Sequence, residues 1–141
     1  MTQLTCAQAR TLIDAAIASA RENGFRPMGV VVVDASALVV ATAREDGASA
    51  LRLDIALGKA AAAVGMGVSS RVLTQRAKDL PAFFGAVAAA ATQKFIPQTG
   101  AVLITDADGK ILGAAGASGG TGDEDEQIVI AGIAAAGLKH A

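Results

Sequence analysis

The stretch 113–126, GAAGASGGTGDEDE, runs a glycine-rich turn out of one apolar segment and straight into four acids. Glycine backbone ahead of a helix is a common seat for phosphate, because the first N–H groups of the helix are unpaired and its dipole favours an anion. Acids at the same helix end neutralise that dipole and repel a phosphate. The dinucleotide fingerprint requires G-x-G-x-x-G behind the first strand of a βαβ unit. Here Gly120-Thr121-Gly122 is followed by Asp125 where the third glycine belongs, and no P-loop Lys-Ser/Thr pair follows. Thr121 and Glu124 do have capping-box spacing, so the acids are expected to cap a helix rather than leave room for a nucleotide.

Four other positions have chemical capacity. Lys59 stands on an Ala-rich helix with few other charges. Arg44 and Asp46 follow the second strand, where a loop meets the sheet, and Asp125 lies in the acid run. Taken singly they read as a snorkelling lysine, a surface ion pair and a helix cap. If they converge, Arg44 and Lys59 can hold an acidic ligand, and Asp46 or Asp125 can act as general acid or base. His140 is the one histidine and is penultimate, so its tail is expected to be frayed and exposed. The chain has no Ser-His-Asp or Cys-His pair and no zinc-ligand spacing. Met28 and Met66 read as core residues.

Around these groups the elements are legible. Thr5 and Gln8 open a helix by a capping box, apolar residues follow at Ala9, Leu12, Ile13, Ala16, Ile17 and Ala20, and Asn23-Gly24 stops it. Two segments, 28–43 and 101–116, share one design: β-branched runs broken at Asp34-Ala35-Ser36-Ala37 and at Asp106-Ala107-Asp108-Gly109. Each reads as a hairpin. Between them, 49–65 reads as a helix stopped by Gly65, and Ser69 or Ser70 caps a short helix through Lys78. Pro81 can open a further helical turn and Pro97 excludes helix nearby. A last helix is expected from Asp123 to Leu138. The fold class is α/β of the α+β type. A central antiparallel sheet of about five strands is built on two hairpins, with helices packed on its faces in a profilin-like layered arrangement.

Composition bounds the rest. Hydrophobic residues make up 52% and aromatic ones 3% of 141 residues, and the net charge is -1. Length suits one domain, 1–141. Scattered cations argue against nucleic acid as a partner. The absence of a basic and apolar leader, and of any long uncharged apolar run, implies a cytoplasmic protein without membrane attachment. Cys6, the only cysteine, reads as a small core residue of the first helix. Ala is roughly a quarter of the chain, well above usual content. The largely uncharged helix at 50–64 suggests close contact between subunits, and so a homo-oligomer.

The glycine loop at 113–126 resembles the G-x-x-G-V-S-G…D-E signature of the GlcG/HbpS-like haem-binding proteins, a domain also found at the C-terminus of PduO-type corrinoid adenosyltransferases. Other blocks agree in order and spacing. They are L-T-x-x-x-A at Leu4–Ala9, V-V-D from Val32 with Val39 at the position of its Leu, R-x-D-G at Arg44–Gly47, I-A-x-x-K-A at Ile55–Ala60 and A-G-I-A-A-A at 131–136. The resemblance spans nearly the whole chain. It implies a central antiparallel sheet, a symmetric homo-oligomer and a small ligand, with haem or corrinoid as the cofactors known among relatives. Other relatives sit in catabolic operons, which keeps open a small enzyme or accessory protein acting on an organic acid. Arg44, Asp46, Lys59 and Asp125 all fall in or beside the shared blocks and are the ligand-binding candidates. The chain departs from the family at Ala37, where a Gly is frequent, at Ala62, where a Thr is frequent, and around Gly100, where a Pro is missing. With one histidine at the tail, any haem binding is expected to be weak and to lack a histidine ligand.

Overall fold

The computed structural model describes residues 3–141. The first helix, α1 (Cys6–Glu22), begins at Thr5, whose side chain accepts from Gln8 N while Gln8 reaches back to Thr5 N. The hairpins follow as expected: β1 (Gly29–Asp34) with β2 (Val39–Arg44), and β3 (Ala101–Thr105) with β4 (Ile111–Ser118). Between the hairpins lie α2 (Arg52–Met66), α3 (Ser70–Asp79) and α4 (Pro81–Ala90). After them come α5 (Gly122–Ala135) and a two-residue strand, β5 (Lys139–His140). The sheet order is β2-β1-β4-β3-β5 and every neighbouring pair is antiparallel.

Strand alternation sorts the core into two layers. Val30 and Val32 point toward α1 and α5, where they pack with Leu12, Ile13, Ile128 and Ile133. Val31 and Val33 point the other way, onto Ala56, Ala60 and Ala63 of α2. Burial on both faces explains why β1, β3 and β4 read as continuous apolar runs. The α2 layer packs unusually close. A Cβ on Gly116 of β4 would come within 2.5 Å of the Ala56 carbonyl oxygen. The Ala-rich face of α2 is therefore consumed inside the protomer, against the sheet and against Leu73 and Phe84 of α3 and α4. It is not the free contact surface that its composition suggested.

Three further expectations change. Cys6 is exposed, because the buried stripe of α1 begins at Ala9. The last helix stops at Ala135, and Gly137, at φ 73°, turns the chain back onto the sheet. The His140 side chain is exposed, but its backbone is not frayed. It pairs with Ile104, and Ala141 N donates to Leu103 O.

Candidate functional site

The last residue of β4, Ser118, delivers the glycine loop to one end of the sheet. Thr121 caps α5: its side chain accepts from Glu124 N, and Glu124 Oε1 accepts from Thr121 N. That is one acid of the four. Asp123 and Glu126 both turn to Arg71 of α3, whose Nε lies 3.0 Å from Glu126 Oε2 and whose Nη2 also meets Asp123. Asp125 points inward. Each acid in DEDE thus has a partner, with Asp123 and Glu126 sharing Arg71, which accounts for the run of four as well as for the missing phosphate seat.

Asp125 is 2% exposed and Lys59 is 5% exposed. Lys59 Nζ donates to Asp125 Oδ2 at 2.9 Å and to Ala117 O at 3.0 Å, while Asp125 Oδ1 accepts from Gly120 N at 2.9 Å. Lys59 is therefore neither solvated nor snorkelling. Burial pushes the Asp125 carboxyl above its ordinary range. The Lys59 ammonium, the Lys59 and Gly120 hydrogen bonds and the charge of Arg52 draw it back without cancelling the effect. Gly100 closes the pair from the side. Its φ is 135°, and a Cβ there would stand 2.7 Å from Lys59 Nζ and 3.0 Å from the Asp125 Cβ. Only glycine satisfies both the backbone and the space.

Beside this pair opens a cleft of about 440 Å³, bounded by Arg52, Ile55 and Lys59 of α2, Thr99 ahead of β3, Ser118, and the first turn of α5. Arg52, Ile55 and Lys59 share one helix face by their spacing of three and seven residues. Arg52 Nη1 donates to Ser118 Oγ at 3.2 Å. No ion pair with a carboxylate forms at Arg52 among the described residues. A half-buried guanidinium with no carboxylate at ion-pair distance, in a polar cleft, suits an acid group of a ligand. The walls are otherwise polar, with Ile55 as the large apolar side chain.

Of the four expected site residues, Lys59 and Asp125 meet, and both line the cleft. Arg44 and Asp46 do not line it. Arg44 is exposed and donates to Ala48 O at 2.7 Å, and Asp46 is exposed in the loop after β2. Arg44 and Ser118 are both register partners of Gly29, so they stand two strands apart on one sheet face, about 10 Å. Arg52 was missed, although its seven-residue spacing from Lys59 was a readable signal.

A family model described as haem degrading protein HbpS-like matches residues 4–134. Among solved structures, a double mutant of Streptomyces reticuli HbpS is 30% identical, with 95% of this chain and 87% of that chain covered and a TM-score of 0.82. A PduOC:heme complex is 26% identical, with 97% of both chains covered and a TM-score of 0.86. Klebsiella pneumoniae protein ORFY, 24% identical over 97% of this chain and 93% of that one at a TM-score of 0.85, shares the fold. No curated protein matches the chain by sequence.

Proposed function

The chain belongs to the HbpS-like family, and from that premise we propose that it is a small-ligand-binding protein whose cleft beside Lys59 takes the acid group of its ligand, haem being the first candidate. The observation that carries this reading is Arg52. It is a cation without a carboxylate partner, held by Ser118 at the mouth of a polar cleft beside the α5 N-terminus. Lys59 supports the acid group from behind while its own charge is balanced by Asp125.

The residues present fit the acidic edge of a haem better than its iron. Ile55 is the one large aliphatic wall, so the cleft offers little apolar cover for a macrocycle. His140 lies on the β5 edge, paired to Ile104. Met28 is fully buried beneath the glycine loop, inside the α1 and α5 core. Binding in this reading rests on propionate pairing and proceeds without a histidine ligand. Arg44, two strands away on the same face, with Asp46 in the loop just after it, serves a ligand that extends past Ser118 along the sheet end.

Haemin titration followed in the Soret region tests the proposal. The wild-type chain should bind, Arg52→Gln should bind roughly tenfold more weakly, as expected for one partly screened charge-assisted hydrogen bond, and His140→Ala should titrate like the parent. Equal binding by Arg52→Gln and the parent would remove the cleft from the account. A Soret band lost only in His140→Ala would move the site to the C-terminal strand.

A further inference from the structure

A second cleft of about 410 Å³ lies on the other side of the glycine loop, bounded by Gly24, Phe25, Arg26 and Glu124. It shares two residues with the first cleft, Gly120 and Thr121. The two spaces are therefore separated by a ridge two residues wide. The ridge is fixed from below: Gly120 N donates to Asp125 Oδ1 and Thr121 N to Glu124 Oε1. It is also kept low. A Cβ on Gly120 would meet Glu124 Oε1 at 2.5 Å, so no side chain can rise there without displacing the cap.

The loop that carries Arg26 is built with similar care. Arg21 Nη2 donates to Phe25 O at 2.6 Å and to Arg26 O at 3.0 Å, and Arg21 Nε pairs with Glu45 at 3.0 Å. Glu45 in turn accepts from Met28 N at 2.9 Å. Arg21 thus holds the backbone of the loop, while the Arg26 guanidinium is exposed and makes no hydrogen bond or ion pair among the described residues. Of the cations bordering the two clefts, Arg26 and Arg52 make no ion pair among the described residues, and one stands on each side of the ridge. Glu124 opposes an anion in the second cleft. Its carboxylate is turned back onto the positive end of α5, which offsets part of that field.

We infer that the second cleft is a second anion subsite. The ligand is then a diacid that straddles the Gly120–Thr121 ridge, with one carboxylate on Arg52 and the other on Arg26, as the two propionates on one edge of a haem can. This inference rests on the reading that the first cleft takes an acid group. A ligand with two neighbouring carboxylates on one edge satisfies both arginines across two residues of backbone. A monoacid leaves Arg26 unused.

Three probes separate the cases: haemin with both propionates free, its monomethyl ester and its dimethyl ester, each titrated into the parent, Arg26→Gln, Arg26→Lys and Arg52→Gln. The diacid should bind roughly tenfold more weakly to each glutamine variant than to the parent. Arg26→Lys should recover part of that loss, since it restores charge without the planar fork. The diester should bind weakly and equally to all four proteins. The exposed Arg26 side chain makes no hydrogen bond or ion pair among the described residues, so matching thermal unfolding of its variants and the parent is expected. If Arg52→Gln weakens the diacid and Arg26→Gln does not, the second subsite is refuted and the first cleft stands. If neither substitution matters, or the parent binds no haemin, both readings fall.

Discussion

Replacing Lys59 by Met keeps the length and apolar body of the side chain and removes its ammonium. In the folded protein this leaves Asp125, 2% exposed, with Gly120 N as its one remaining donor, and strips Ala117 O of its side-chain donor. Breaking a buried pair from one side costs about 3–5 kcal/mol, because the surviving charge stays desolvated. The carboxyl can escape by taking a proton, and that limits the cost. Burial already raises its pKa with Lys59 present, and the loss of the ammonium, the largest opposing influence, raises it further. The folded chain then binds more protons than the unfolded chain between the ordinary carboxylate pKa, about 3.9, and the folded value. Stability therefore falls as pH rises through that window, so the deficit of Lys59→Met is greatest near neutrality and shrinks on acidification. At pH 7 the loss should be about 3 kcal/mol, a shift of roughly 1–2 M in a urea midpoint at an ordinary m-value. At pH 5 the shift should be clearly smaller. The pair Lys59→Met, Asp125→Asn should be less damaged than the sum of its parts, by about 1–3 kcal/mol. Equilibrium urea unfolding of the four proteins at both pH values reads all of this. A loss below about 1 kcal/mol that does not change with pH would mean that the pair is solvated, and the account of the cleft floor would be wrong.

Gly116→Ala should lower stability by about 1–3 kcal/mol, because the new Cβ would press on the Ala56 carbonyl; an unchanged thermal midpoint would show that α2 can lift from the sheet at no cost. A homo-oligomer is expected, with α4 at the contact instead of α2. The segment PAFFGAVAAA carries no charge, buries only Phe84 and leaves Phe83 55% exposed, and a helix apolar all round is normally covered. Light scattering should give a multiple of the chain mass for the parent and a smaller mass for Phe83→Glu, whereas a monomeric parent would end this expectation.

The two hairpins, the capping boxes at Thr5 and Thr121 and the order of the elements follow from local rules and were readable along the chain. Alternation, turn residues and cap spacing act within a few positions, so the sequence carries them directly. The resemblance of residues 113–126 to the HbpS-like signature was legible for the same reason: it is a contiguous loop. The exposure of Cys6 was not, because helix periodicity places a stripe without saying where the sheet begins to cover it. The role of α2 was also hidden. Ala at 56, 60 and 63 suits a subunit contact and a sheet contact equally, and Gly116 on a distant strand decided for the sheet.

The site divides along the same line. The sequence by itself determined which charged residues exist, which helix face Lys59 occupies and that Asp125 lies in the first turn of α5. Only the tertiary structure decided that these two meet across 66 positions, that Arg44 and Asp46 stand outside the cleft, and that Arg52 borders it. The reason is physical. A cap or a turn is stabilised by neighbours in the chain, but a buried ion pair exists only where packing excludes water from both partners at once. Here that place is the junction of α2, β4 and α5, closed by the missing side chain of Gly100.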